Sequence, residues 1–369
     1  MVETTGERRV GRSARQAPGR AALLRGALLG LVVLAAIAMT GIAVGLPDRW
    51  FGPHALPTTI AVGFDPAGIA ADRAAHRAYV TNSAPGSSSV SVIDTDRNVV
   101  VATVRVGNDP IGVAVDPSAH RAYVANSGSA SVSVLDTRRN AVVATVNIIS
   151  NPAGIALDPA AHRAYVTIPG VNLVEVLDTQ SNAYVATIHV GELKELSFGS
   201  AGIALDPAAH RAYVPISSVA HFPANGVPAR VVPTSSVVVI DTDATLVVDT
   251  IPVGRTPVGV AVDSVAHRAY VINHGGDSVS VLDTQRDVAV AGIRVGAFPT
   301  GIALDPAAHR AYVTNSYGNS VSVIDTRRNV VVATLPTGRG PLAIAVDPAT
   351  HRAYVANADR TVSVLQGGA

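Results

Sequence analysis

The feature that most constrains this chain is a repeat. The stretch Asp-Pro-Ala-Ala-His-Arg-Ala-Tyr-Val-Thr-Asn at 305–315 recurs with small changes. Its tyrosines stand at Tyr79, Tyr123, Tyr165, Tyr213, Tyr270, Tyr312 and Tyr354, at spacings of 44, 42, 48, 57, 42 and 42 residues. A period of roughly 40–45 residues marks a stacked or circular array. Within one unit, 299–338, four short β-branched runs are closed by Asp-Pro, Asn-Ser, Asp-Thr and Gly. These are strands bounded by turns, and four antiparallel strands per unit make a propeller blade. The first three strands occur seven times, but the seventh unit ends without a fourth. An unmatched fourth strand, Thr58–Gly63, stands at the other end. The spacing therefore predicts an all-β, seven-bladed β-propeller over 58–369, closed by its N-terminal strand pairing with Thr361–Leu365. Closure of this kind removes a long unpaired edge.

Tyr-Val-Thr-Asn stands at 79–82 and 312–315, and Tyr-Val-Ala-Asn at 123–126 and 354–357. In these residues the chain resembles the YVTN-repeat β-propeller family, which includes surface-layer proteins and YncE-like bacterial envelope proteins. The resemblance covers 58–369 and implies a propeller in the cell envelope. It implies little about chemistry, because propellers host many functions. The copies at Tyr165 and Tyr213 read Tyr-Val-Thr-Ile and Tyr-Val-Pro-Ile and depart from the motif.

The N-terminal end suggests a location. Residues 1–25 carry six Arg against two Glu, a net of +4, while the whole chain is only +1. Residues 26–46 follow without a charge, long enough at ~1.5 Å per residue to cross a ~30 Å hydrocarbon core. The basic flank predicts a cytoplasmic tail, a single transmembrane signal-anchor helix at 26–46, a linker at 47–57 and an extracytoplasmic propeller. Trp50 is placed as an interfacial anchor. The competing reading is a cleaved signal peptide, with small-x-small sites at Ala36–Ala38 and Gly41–Ala43, which would give a secreted propeller. There are no cysteines, which excludes disulfides, thiolate catalysis and Cys-ligated zinc. The propeller has no basic excess, which argues against nucleic acid.

Seven equivalent histidines (His76, His120, His162, His210, His267, His309, His351) point to architecture rather than catalysis. A turn hydrogen bond is expected of each, with the Asp of the same turn capping backbone donors. The Arg after each His is expected to brace blade to blade. Asn82, Asn126, Asn273, Asn315 and Asn357 suit left-handed or Asx turns.

Departures from the repeat are the candidate site. Two insertions, 191–199 before blade 4 and 216–235 within it, fall on the same face of one blade. They carry Glu192, the lone lysine Lys194, Glu195, His221, Phe222, Asn225 and Arg230. Insertions on one face of a rigid scaffold are where binding usually sits. No sequence pattern of a catalytic triad, P-loop, His-x-x-x-His site or calcium loop is present. No cofactor or metal is expected. The chain reads as a membrane-anchored binding or scaffolding module, a monomeric propeller whose partner is an envelope protein or glycan. The alternative is a metal-dependent, lactonase-like hydrolase or lyase with its site at the tunnel, where an aspartate from each inner strand could hold a cation.

Overall fold

The computed structural model describes residues 57–86, 88–191, 202–217 and 235–366. The expected helix at 26–46 lies outside them. Among the described residues no helix is long and apolar enough to cross a membrane.

The described chain forms seven four-stranded antiparallel sheets. Blade 1 runs Pro66–Asp72, Arg77–Asn82, Ser89–Asp94 and Val99–Arg105, in that order from axis to rim. The closure is as expected: Thr58–Ala61 pairs antiparallel with Thr361–Gln366, with Ile60 opposite Val362. The Val62 amide adds a bond to the Arg360 carbonyl at 3.0 Å.

The repeated Arg-Ala-Tyr-Val run explains how the blades pack. Side chains alternate across a strand, so Tyr faces one neighbouring blade while Ala and Val face the other. Tyr79 packs with Ala122, Val124 and Leu135 of blade 2. Tyr123 meets Ala164 and Val166 of blade 3, and Tyr354 meets Ala78 and Val80 of blade 1. Each interblade gap thus seats the largest core side chain of one blade on the smallest of the next. All seven tyrosines are buried. With so few aromatics, this large-into-small match fills a core otherwise made of Val, Ile and Ala.

Inner strands approach closely on the axis. A Cβ on Gly301 would sit 2.8 Å from the Leu342 carbonyl of the next blade. Thr81 fastens this contact in blade 1. Its hydroxyl accepts from the Gly68 amide at 2.7 Å and donates to the Ile111 carbonyl of blade 2 at 2.8 Å.

Three expectations about repeated polar residues need correction. The histidine rings reach turn residues in some blades only, as His76 Nδ1 does Asp96 Oδ1 at 3.3 Å and His210 Nδ1 does Asp243 Oδ1 at 3.1 Å. His is the left-handed residue of the turn, at φ 51–55° in all seven copies, and its backbone carbonyl accepts from the next turn's Thr, as in Thr95 N to His76 O at 3.1 Å. The turn Asp does cap donors as expected: Asp72 Oδ1 accepts from Ala75 N at 3.0 Å. The Arg pairs mainly within its own blade, Arg77 Nη1 lying 3.0 Å from Asp94 Oδ2 across the second and third strands. Blade 7 is the exception: Gln366 replaces that Asp, and Arg352 reaches the Thr95 carbonyl of blade 1 at 3.2 Å. The Asn residues are not left-handed. They end the second strand, fully buried, and the Asn273 amide donates to Ser278 at 3.1 Å and Ser280 at 2.9 Å.

Candidate functional site

Strand alternation gives the propeller two unlike faces. One, the turn face, carries the tight Asp-x-x-x-His and Asp-Thr turns, with their charges paired locally. Asp136, Asp178, Asp241, Asp283 and Asp325 each accept backbone N–H bonds and face the Arg of the second strand, which holds their carboxyls below the usual range. For Asp178, turn bonds from Ser181 lead the effect and bring it to about 2.

The other, the loop face, carries the loops between second and third strands and the Gly-x-x-Pro links between blades. Both insertions belong to it. The chain leaves the described structure at Gly191, after the fourth strand of blade 3, and re-enters at Gly202. It leaves again after Ser217 and re-enters at Ser235. Glu192, Lys194, Glu195, His221, Phe222, Asn225 and Arg230 therefore lie outside the described residues, on connections rooted on this face.

Apart from its terminal Pro and Asp, each described inner strand carries only Gly, Ala, Val, Ile, Leu and one Thr, as in Pro299-Thr-Gly-Ile-Ala-Leu-Asp305. The inner-strand aspartates are buried and spend an oxygen on their own turns, as Asp116 does for Ser118 and Ala119 at 2.9 and 3.1 Å. His351 Nδ1 lies 2.6 Å from Asp305 Oδ2, bridging blades 6 and 7. Among the described residues no three His, Asp or Glu converge to hold a metal ion.

The loop face also gathers aromatic side chains that were not singled out from the sequence. Phe64 and Phe298 sit in interblade links and Tyr317 in the blade 6 loop, each 41–51% exposed. Arg360 lies 3.7 Å over the Phe64 ring. His274, Phe298 and Tyr317 form a continuous row, with ring centroids 5.0 and 4.2 Å apart and interplanar angles of 79° and 83°. The signal was available: once the seven core tyrosines are set aside, these are among the few aromatics left in the repeats, and Tyr184 alone of them sits on an outer strand.

Beneath this face lies a polar corner. A Cβ on Gly254 would sit 2.5 Å from Asn273 Cγ, so the link must be glycine while the Asn is present. The Gly254 amide donates to Ser280 Oγ at 3.3 Å. Blade 3 replaces the set with Ile149, Ile168, Leu173 and Glu175, and the Ile149 amide donates to Glu175 Oε1 at 3.2 Å. Burial pushes the Glu175 carboxyl upward, against the lowering effect of that bond.

Seven four-stranded antiparallel blades, closed by the pairing of the first and last described strands, define a seven-bladed β-propeller. No protein-family model matches the chain, and no curated protein does. Among solved structures it is similar to Kuenenia stuttgartiensis hydrazine synthase, at 21% identity and a TM-score of 0.69, over 87% of this chain and 99% of that one. At that identity the likeness is one of fold.

Proposed function

We propose that this chain is an extracytoplasmic binding or scaffolding module of the cell envelope, related to the YVTN-repeat propellers, that engages its partner through the loop face. Residues 26–46 act as its membrane anchor. The observation that carries this reading is the asymmetry of the faces. Turns are short and alike on one, whereas differences in length and aromatic content gather on the other. The first described strand of the propeller, Thr58–Ala61, begins on the turn face. The contact surface includes Glu192, Lys194, Glu195, His221, Phe222, Asn225 and Arg230. A tunnel hydrolase is the less favoured reading, because among the described residues no three His, Asp or Glu converge.

The test replaces Val219–Val232 with a two-residue Gly-Asn turn in the full chain. Closure entropy changes by only ~0.6 kcal/mol per halving of loop length, in favour of the shorter loop, so the melting temperature stays within a few degrees. Cross-linking to envelope components in cells is lost. Cross-linking that survives a clean excision would move the contact surface off blade 4.

A further inference from the structure

We propose that the row His274–Phe298–Tyr317, at the seam of blades 5 and 6, is a stacking subsite for a neutral sugar ring. The proposal rests on the loop face being the binding face, but not on the blade 4 insertions.

Three observations lead there. The first is strain. Phe298 has φ +53°, in the left-handed region. The equivalent link positions hold Asp65, Asp109, Thr256 and Gly340. A bulky aromatic there is an outlier, and such outliers gather at functional sites. Nothing in the core requires the ring, since it is 41% exposed.

The second is rigidity. The Phe298 amide donates to Asp277 Oδ1 at 2.9 Å, and its carbonyl accepts from the Ser316 amide at 3.0 Å and hydroxyl at 2.9 Å. His274 Nδ1 bonds the Pro299 carbonyl at 3.0 Å. A carbonyl can only accept, so Nδ1 carries the proton and Nε2 of the neutral ring is an acceptor. The platform is set before any ligand arrives, which lowers the ordering cost of binding.

The third is the chemistry of the rim. In an edge-to-face pair one ring presents only its edge, so its π faces stay open. Around the row stand hydrogen-bonding groups: His274 Nε2, the Tyr317 hydroxyl and the Asp277 carboxylate. A sugar ring has this same division, with C–H groups on its faces and hydroxyls at its edge. The row offers three rings, whose neighbours in sequence include Gly275, Gly276, Ser316 and Gly318. Such a patch matches one or two sugar residues better than the broad apolar centre of a protein interface.

The experiment is saturation-transfer NMR on the full chain with cellotetraose, chitotetraose, maltotetraose and mannotetraose, irradiating the aromatic protons. Transfer to the ring C–H protons of at least one tetraose is expected. Tyr317→Ala and Phe298→Gly each weaken that binding at least tenfold, while Tyr184→Ala on the outer strand leaves it unchanged. Phe298→Gly relieves a left-handed phenylalanine, so it melts at or above the parent temperature, which separates a binding role from a packing role. Should it instead melt lower, Tyr317→Ala decides. No transfer to any of the four sugars overturns the proposal, as does parent-like binding in Tyr317→Ala. Failure here with cross-linking to the envelope partner intact would leave the loop-face reading standing. Loss of that cross-linking on blade 4 excision with sugar binding intact would show two separate contacts.

Discussion

The polar corner of blade 5 permits a quantitative test. Gly254→Ala places a Cβ 2.5 Å from Asn273 Cγ and 2.9 Å from its Cβ, so link or strand must shift. Overpacking of this size costs about 1–3 kcal/mol, offset by at most about 1 kcal/mol from the stiffer unfolded chain. Asn273→Ile alone removes the amide that donates to Ser278 and Ser280. Leaving buried hydroxyls short of a partner costs about 1–3 kcal/mol. Blade 3 changes both positions together, as Ile149 and Ile168, and buries Ile168 completely. The double variant should therefore cost less than the sum of the singles by at least about 1 kcal/mol. The assay is a double-mutant cycle from urea melts followed by circular dichroism. For a domain of this size each kcal/mol also moves Tm by about 2 °C. Additivity within about 0.5 kcal/mol, or a neutral Gly254→Ala, would refute the argument that the Asn forces the glycine.

Four further outcomes are expected. Deleting Thr58–Gly63 unpairs the edge of blade 7 and removes Ile60 from its core cluster. Burial of one Ile is worth about 1.5–3 kcal/mol, so melting falls by several degrees, and unchanged melting would rule out the closure. Burial, with Asp72 alongside, pushes the Tyr79 phenol up to about 12, and burial raises the other core tyrosines too. The folded state then holds protons that the unfolded chain loses above pH ~10, so stability falls as pH rises from there. Absorbance at 295 nm should include a cooperative rise coincident with loss of circular dichroism; a wholly gradual rise would contradict this. Asp178, held at about 2 in the fold, contributes stability above its unfolded pKa of ~3.9 that is lost as pH falls toward 2. Asp178→Asn should flatten that acid limb of a melting-versus-pH curve. His162→Asn keeps a residue tolerant of the left-handed conformation and should leave Tm within about 1 °C, whereas a loss of several degrees would give the imidazole a role in the turn.

Blade number, strand order and closure were legible because each is written seven times, and chance departures average out over a repeat. Residue roles were less so. The Tyr hydroxyl contacts span distances the sequence does not display, as in Tyr165 Oη to the Thr242 carbonyl of the next blade at 3.4 Å. Arg77 and Asp94 lie 17 residues apart in sequence, and only the register of the second and third strands puts them opposite each other. The buried Asn looked like a turn residue because it borders a turn. Its partners are serines on the far side of that turn, and its neighbour is a glycine from the preceding link. The aromatic row was missed for a related reason: His274, Phe298 and Tyr317 come from three separate connections that only the packing of blades 5 and 6 brings together.

The departures from the repeat concentrate in blades 3 and 4, and they share a physical logic. Ile168 and Ile216 stand where five other blades place a buried Asn. Among the described residues the inner strand of blade 4 is only Ala204–Asp206, and its pairing with the second strand runs as far as Ala204 opposite Tyr213. Pro215 lies beyond that point, paired on its other side with Val237. A proline inside a four-stranded sheet would ordinarily forfeit a ladder bond. Among the described residues the ladder on the inner side stops at Tyr213, so Pro215 interrupts no described pairing there. Just before that inner strand, the Gly202 amide bonds the Val258 carbonyl of blade 5 at 3.1 Å instead. The inner upper corner of blade 4 has thus exchanged its own sheet pairing for a contact with the next blade. The chain re-enters the described structure just before this inner strand, at Gly202, and leaves it again after Ser217 at the end of the second strand. The ring keeps all seven interblade core clusters while this corner departs from the repeat, so the variation is confined to a place that the interblade packing does not depend on.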